Sequence, residues 1–495
     1  MKIFHRLVIG LFWITCLACL SAAQEGREIV VKVGDPTSYV PLLRTVAAPP
    51  SMPADLRGMS ALEGASRFLT VEGAVMHGAQ VLSATDPSTS QPTPQPTGLL
   101  AAGSVNSCGT IGHSGTYVLS QDLSSAGQCL NIQGADNVTL DCQGHSITSA
   151  QGLAALKAEG ASHLTIKNCV IPGNEWPPKV LIQSNDLVMT DNTLGSVRIA
   201  DSQGGVIARN HMDGTLYQWQ CSDMQVTDNT MTAATNLESA LIVSEYGSNN
   251  LFARNHLDGG WDGQAEDYQK VGSDDGIVIH SENGDVVASN SIKNAWDTGI
   301  ETWGEINNLT ITGNRIQSSQ IAAIGGWWSN SWDKVNISDN KASDTPTFLM
   351  IQYFQDILHR PDSPPAKIDF KDVNISNNTL NHVRPPILGF PDTAIWINLN
   401  NWFSDGFDPP PTAGTYNGNT ISGNQFNAPP PVVAFPTTDI LADGGGNIYG
   451  PPPTRGRPLP HPPFPIDFSL IYKRLGRLPL RGQGQSAPLI GIPQP

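Results

Sequence analysis

Charge is scarce in this sequence, and positive charge is scarcest. Only 15% of the 495 residues are charged, and 28 Lys and Arg stand against 44 Asp and Glu, which gives a formal net charge of −16. This balance argues against nucleic acid and anionic membrane surfaces as partners. Apolar residues at helical spacing are also lacking, whereas Gly (48) and Pro (38) are plentiful. The sequence therefore predicts a turn-rich β protein and excludes a helical one.

Long apolar runs are absent except at the N-terminus. Lys2 and Arg6 precede an apolar run over residues 7–20, and Ser21-Ala22-Ala23 follows it. This pattern predicts a secretory signal peptide over residues 1–23 with cleavage after Ala23. Cys19 leaves a lipoprotein as the alternative. No later run is long enough to span a membrane, so we expect a secreted protein, periplasmic or extracellular.

The body of the chain repeats one short strand that ends on Asn or Cys. The repeats end at Cys142, Asn168, Asn192, Asn210, Asn229, Asn255, Asn290, Asn314, Asn340, Asn378 and, more weakly, Asn424. From Asn168 to Asn378, eight intervals cover 210 residues, about 26 residues each. A repeat this short has to bury its apolar face by stacking on its neighbours. The fold class predicted is all-β, a right-handed parallel β-helix of about ten coils, with the Asn side chains stacked as a ladder.

The segments around the repeats are rich in proline. The sequence predicts an N-terminal segment of undefined role at 24–82, a Pro/Ser/Thr linker at 83–103, the β-helix at 104–427 and a Pro-rich tail at 428–495. Because the first coil covers one end of the solenoid, we expect a monomer.

Five cysteines follow the signal peptide. Cys142 and Cys169 fall at equivalent or adjacent places in successive repeats, so a disulfide between them is geometrically plausible in an exported protein. Cys108 would then pair with Cys129, leaving Cys221 over. The alternative is that all five are reduced and buried.

The start of the repeat region resembles a known family. The motifs C-G-T from Cys108, G-T-Y-x-L from Gly115 and V-x-L-D-C-x-G-H-x-I from Val138 occur in that order. They resemble the opening of secreted right-handed β-helix repeat proteins of the pectate-lyase-like superfamily, and the resemblance covers roughly residues 105–425. It implies the fold and leaves the chemistry open, since hydrolases, lyases, epimerases and non-catalytic proteins share this fold.

Acidic residues recur at one place in consecutive repeats. Alignment on Ala240, Gly276, Gly299 and Ala323 puts three carboxylates in one column two positions earlier: Glu238, Asp274 and Asp297. Stacked like charges need a bound cation, a raised pKa or a catalytic role to offset their repulsion. Asp275 adds a fourth carboxylate, and an inserted loop at 258–270 would overhang the row. The structural alternative is that these Asp residues only suit turns.

Aromatic residues gather in the same repeats. A second column lies four residues after the aligned small residue and holds Ser244, His280, Trp303 and Trp327; Trp261, Trp296, Trp328, Tyr268 and Lys270 come from the same region. We predict that these side chains line a groove that binds a polysaccharide. The alternative is that the indoles pack beneath loops, since tryptophan is largely buried on average.

Three functions follow from these columns. A glycoside hydrolase would use Asp274, Asp275, Asp297 and Glu238 as acid and base, and Asp274-Asp275-Gly276-Ile277 resembles the signature of polygalacturonase-type hydrolases. A polysaccharide lyase or uronate epimerase would use Lys270, Tyr268 or His280 as the base. In that enzyme Glu238, Asp274 and Asp297 could hold Ca²⁺, a cation that prefers oxygen ligands. The third is a non-catalytic carbohydrate-binding or structural solenoid.

Overall fold

The computed structural model describes residues 98–150, 152–174, 178–233, 240–261, 272–352, 368–381, 393–399, 414–435 and 440–450, and three short strands nearer the N-terminus. Those three form an antiparallel sheet in which Val30–Lys32 pairs with both Tyr39–Pro41 and Gln80–Val81. The predicted signal peptide and the rest of the first 97 residues lie outside the described residues, as does the predicted tail after residue 450.

From Gly103 onwards the chain winds through three parallel walls in a constant order. Among the described residues, the first wall contains thirteen strands: Gly109–Ile111, Leu130–Gln133, Leu156–Lys167, Val180–Asn185, Val197–Ala200, Leu216–Trp219, Ile242–Glu245, Ile277–His280, Thr298–Asn307, Ala322–Asp333, Thr347–Gln352, Ile395–Asn398 and Val432–Phe435. Three long strands, Leu156–Lys167, Thr298–Asn307 and Ala322–Asp333, continue around the corner into the second wall.

The second wall is also parallel. Its remaining strands are Gly103–Val105, Gly115–Leu119, Asp136–Asp141, Leu187–Thr190, Gln203–Ala208, Ser222–Thr227, Leu251–Ala253, Val286–Ala288, Thr310–Thr312, Asn336–Ser338, Phe370–Lys371, Asn374–Ser376, Thr420–Ser422 and Ala442–Gly445.

The third wall is an 11-stranded parallel sheet of very short strands: Val170–Ile171, Thr193–Leu194, His211–Met212, Thr230–Thr232, His256–Asp258, Ser291–Lys293, Arg315–Gln317, Lys341–Ser343, Thr379–Leu380, Gln425–Phe426 and Ile448–Tyr449. Leu123–Ser125 and Ile147–Ser149 pair separately as a two-stranded parallel sheet. The described strands thus confirm the predicted all-β parallel β-helix.

The solenoid interior is filled by stacked apolar side chains. Ile242, Ile277, Ile300 and Ile324 pair in successive coils of the first wall and are all fully buried. Burying such a side chain contributes about 1.5–3 kcal/mol. Because alternate residues of a strand face opposite sides, this inward stack determines which residues face outward.

The predicted asparagine ladder is present, with one correction. From Asn192 to Asn447 each side-chain Nδ2 donates to the Oδ1 of the next asparagine along the solenoid, at 2.9–3.0 Å. The left-handed backbone, however, belongs to the residue before each rung, such as Asp191 with φ 59° or Arg254 with φ 55°. Asn168 is one of these turn residues, so Cys169 occupies the first rung.

Two disulfides close the first coils, as predicted. Cys108 bonds Cys129 and Cys142 bonds Cys169, while Cys221 is free and buried. The Cys169 backbone N–H donates to Asn192 Oδ1 at 2.9 Å, which joins the second disulfide to the asparagine ladder. Disulfides persist in oxidising compartments, so they indicate an extracytoplasmic protein.

The predicted end of the β-helix at residue 427 is too early. Three further strands, up to Ile448–Tyr449, pair in parallel with the last predicted coil. Their apolar residues are interrupted by prolines and glycines, which hid the alternation in the sequence. No helix among the described residues is long and apolar enough to cross a membrane.

Candidate functional site

The outward face of the first wall carries a row of polar and aromatic side chains. Trp219 pairs with Glu245, Glu245 with His280, and His280 with Trp303 in successive coils. The predicted column had Ser244 in place of Glu245, which is wrong by one residue. The alignment used Ala240, whereas Ile242 pairs with Ile277, so Leu241 lies level with Gly276.

Glu245 and His280 form a hydrogen-bonded pair. Glu245 Oε1 lies 2.7 Å from His280 Nδ1, and Glu245 Oε2 accepts a hydrogen bond from the Tyr217 hydroxyl at 2.5 Å. The Glu245 side chain is fully buried, whereas 17% of the His280 side chain is exposed. A carboxylate on Nδ1 fixes the imidazole tautomer and directs Nε2 outward.

Burial raises the pKa of Glu245, while His280 and the Tyr217 hydroxyl oppose that rise. A carboxylate held in a dry site beside an accessible imidazole is the arrangement that makes histidine an effective general base.

Aromatic rings surround the exposed edge of His280. The Tyr246 hydroxyl lies 3.4 Å from His280 Nε2, and the two ring centroids are 4.7 Å apart. Trp303 meets the imidazole edge-on with centroids 5.7 Å apart, and Trp219 meets Tyr246 edge-on at 4.8 Å. Trp219, Tyr246 and Trp303 are each partly exposed, so their surfaces are available for a sugar ring.

Four buried carboxyl groups lie beside this row. The Asp297 N–H donates to the Asp274 carbonyl at 2.7 Å, so these two predicted residues do lie in adjacent coils. Asp275 Oδ1 accepts from the Thr298 N–H at 3.0 Å and from its hydroxyl at 2.7 Å. These two hydrogen bonds connect Asp275 to the next coil, so its carboxylate helps to hold the two coils together. Asp274 is 7% exposed and the other two Asp residues less.

Glu301 is the fourth carboxyl and was not predicted. Burial raises its pKa well above the ordinary value, and the charges of Asp275 and Asp297 raise it further. The Trp303 indole N–H donates to Glu301 Oε1 and opposes the shift. The raised pKa favours the neutral form of Glu301, which lowers the repulsion among the four groups.

The predicted tryptophans divide into two groups. Trp303 borders His280 on the outer face, but Trp296 is fully buried and Trp261 is 2% exposed. These two indoles are packed inside, as the alternative interpretation expected, and do not offer a face to a sugar. Glu238, Tyr268 and Lys270 lie outside the described residues, as do the side chains of Trp327 and Trp328.

Several site residues escaped the sequence analysis for identifiable reasons. Glu245 and Trp219 would have emerged from an alignment on the buried isoleucines in place of the small residues. Glu301 follows Ile300 directly and would have appeared in the same way. Tyr246 has a positive φ of 57° and lies in a turn after the strand, where spacing carries no signal.

No group of three or more His, Cys, Asp and Glu side chains within the described ranges is arranged to hold a metal ion. Glu238 is not described, so Ca²⁺ binding by Glu238, Asp274 and Asp297 stays a prediction.

One family model matches this chain. Residues 114–347, just under half of the chain, match the model described as periplasmic copper-binding protein (NosD). This match adds to two earlier observations, the stacked parallel walls and the motifs at the start of the repeats. The chain is a parallel β-helix repeat protein. The parallel β-helix implied by the sequence resemblance is thereby confirmed. No curated protein matches this β-helix protein in sequence.

Solved structures share the fold at low similarity. A periplasmic alginate epimerase, AlgG, has a TM-score of 0.42 and 11% identity, covering 69% of this chain and 76% of its own. A PL6 alginate lyase in complex with a trisaccharide has a TM-score of 0.41 and 12% identity over 71% and 91%. An endo-xylogalacturonan hydrolase from Aspergillus tubingensis has a TM-score of 0.35 and 14% identity over 68% and 91%. Such scores carry no inference about activity.

Proposed function

We propose that this β-helix protein is an extracytoplasmic enzyme that transforms a polysaccharide by general acid–base catalysis on the outer face of the first wall. The Glu245–His280 pair carries the proposal, because a buried carboxylate orients a partly exposed imidazole between two aromatic rings. Aromatic rims of this kind suit pyranose rings, and an imidazole hydrogen-bonded to a buried carboxylate is an arrangement suited to general base catalysis.

The reaction class favoured is removal of the C5 proton of a uronate residue. His280 Nε2 would accept that proton, and the Tyr246 hydroxyl would deliver one to the ring or to the leaving oxygen. Elimination yields a 4,5-unsaturated sugar, whereas return of the proton to the opposite face gives the C5 epimer. Two features reduce repulsion of a uronate. Burial raises the pKa of Glu301, which favours its neutral form, and Arg198 lies on the same face, where its strand pairs with that of Tyr217.

The test compares wild type with His280→Gln on a panel of uronate and neutral polysaccharides. Three readouts separate the reactions: absorbance of the unsaturated product, deuterium incorporation at C5, and new reducing ends without unsaturation. General acid–base catalysis is worth about 10²–10⁴-fold, so we expect His280→Gln to lower kcat/KM at least a hundredfold. His256→Gln is the matched control, because His256 is exposed on the third wall and should leave activity unchanged.

Each other result identifies a different function. New reducing ends that survive His280→Gln but disappear in Glu301→Gln would support the hydrolase, with Glu301 as the acid. Binding of a polysaccharide without conversion would support the non-catalytic solenoid and refute the enzyme.

Copper binding is the second candidate, because the matched family is described as copper-binding. The test is whether wild type retains copper after dialysis against a chelator and His280→Gln does not. That result would show that the metal binds at the outer face of the first wall.

A further inference from the structure

Two carboxyl groups lie inside the solenoid, directly behind the Glu245–His280 pair. Glu282 is 2% exposed and Asp285 is 1% exposed. The bridge between Asn283 and Asn307 and the pairing of Val286 with Thr310 put Ile306 and Leu309 at the same levels in the next coil. The fold therefore accepts apolar residues at both positions, yet this coil buries two acids.

Three hydrogen bonds hold these acids in place. Glu282 Oε1 accepts from the Ser244 hydroxyl at 2.6 Å and Oε2 from Asn250 Nδ2 at 3.1 Å. Asp285 Oδ1 accepts from the Asn250 N–H at 2.7 Å. Burial, and after it the Glu282 charge, raises the pKa of Asp285 well above its ordinary value.

The network ties together the two strands that carry the pair. Ser244 immediately precedes Glu245, and Glu282 comes two residues after His280. Ser281, which lies between His280 and Glu282, adopts a positive φ of 52° and turns the chain into the interior. The Glu282 charge also raises the pKa of Glu245 through the strand, after the larger effect of burial.

We propose that Glu282 and Asp285 are positioning residues that hold His280 in hydrogen-bonding register with Glu245. The inference rests on the proposed function for its catalytic meaning, but the geometry of His280 can be measured without any substrate. Two buried acids that merely filled space would be replaced by the apolar residues of the next coil without effect on the outer face.

The experiment uses the full chain with both disulfides formed and reads the His280 ring nitrogens by ¹⁵N NMR, with His280→Gln for assignment. In wild type we expect a protonated Nδ1 bonded to Glu245. The double variant Glu282→Ile with Asp285→Leu copies the next coil. This double variant should fold but lose the NMR signature of the protonated His280 Nδ1. Its kcat should be at least tenfold lower than that of wild type, and its KM should stay within twofold. Asp285→Asn should retain that signature, because its amide oxygen still accepts a hydrogen bond from the Asn250 N–H.

An unchanged His280 spectrum in the folded double variant would overturn the proposal. If that variant does not fold, Ser244→Ala decides, because it removes one hydrogen bond to Glu282 and little volume. A shifted His280 spectrum in Ser244→Ala supports the positioning role, and an unchanged one overturns it. Full activity of His280→Gln would instead refute the proposed function, and the NMR result would still stand by itself.

Discussion

Asn290 offers the sharpest test of what holds the coils together. Its Oδ1 accepts hydrogen bonds from the Asn255 N–H at 2.9 Å and from Asn255 Nδ2 at 3.0 Å. Its own Nδ2 donates to the Phe252 carbonyl at 2.9 Å and to Asn314 Oδ1 at 3.0 Å. Asn290→Ala removes all four bonds at a site that is 1% exposed.

The expected loss follows from these bonds. A hydrogen bond contributes about 1 kcal/mol net, and a buried group left without a partner costs about 1–3 kcal/mol. We therefore expect Asn290→Ala to lower the free energy of unfolding by about 4 kcal/mol. Asn447 is the matched control, because it also makes four side-chain hydrogen bonds but is only partly buried at the last rung. Water can replace those bonds, so Asn447→Ala should cost about 1 kcal/mol.

Urea unfolding followed by circular dichroism, with the disulfides intact, measures both variants. Hydrogen exchange at the Asn255 amide reports whether the loss is local, as expected in a solenoid where each coil contacts only its neighbours. Equal losses for the two variants, or a loss below about 1 kcal/mol for Asn290→Ala, would show that the ladder does not stabilise the coils.

Three further predictions concern the disulfide and two titrating groups. Replacing Cys142 and Cys169 by Ser opens a link of sequence separation 27 and should cost about 3.5 kcal/mol in the unfolding free energy. The hydrogen bond to Asp136 raises the pKa of His163. That contribution is complete below about pH 6.5 and is lost as pH rises through the folded pKa, so the urea midpoint of wild type should fall relative to His163→Gln. Burial and Asp275 raise the pKa of Glu301, so wild type should lose thermal stability above about pH 4.3 and Glu301→Gln should lose less of it.

Much of the scaffold was predictable from the sequence because its determinants are local or strictly periodic. The Asn rungs mark the coil length, and alternation around residues such as Ile311 marks the buried face. The disulfide between Cys142 and Cys169 followed from the same periodicity. The continuation of the solenoid to Tyr449 was not predictable, because the strands after residue 427 are short and interrupted by proline.

The candidate site depended on register, and register is a tertiary property. A shift of one residue turns a strand over, so the choice between Ala240 and Leu241 decided whether Ser244 or Glu245 faced outward beside His280. Sequence alone therefore determined that this chain winds into a parallel β-helix with acidic and aromatic residues in its central coils. Only the tertiary structure decided which of them meet. Side chains from different coils become neighbours through backbone pairing, and their protonation is set by the burial that the whole stack creates.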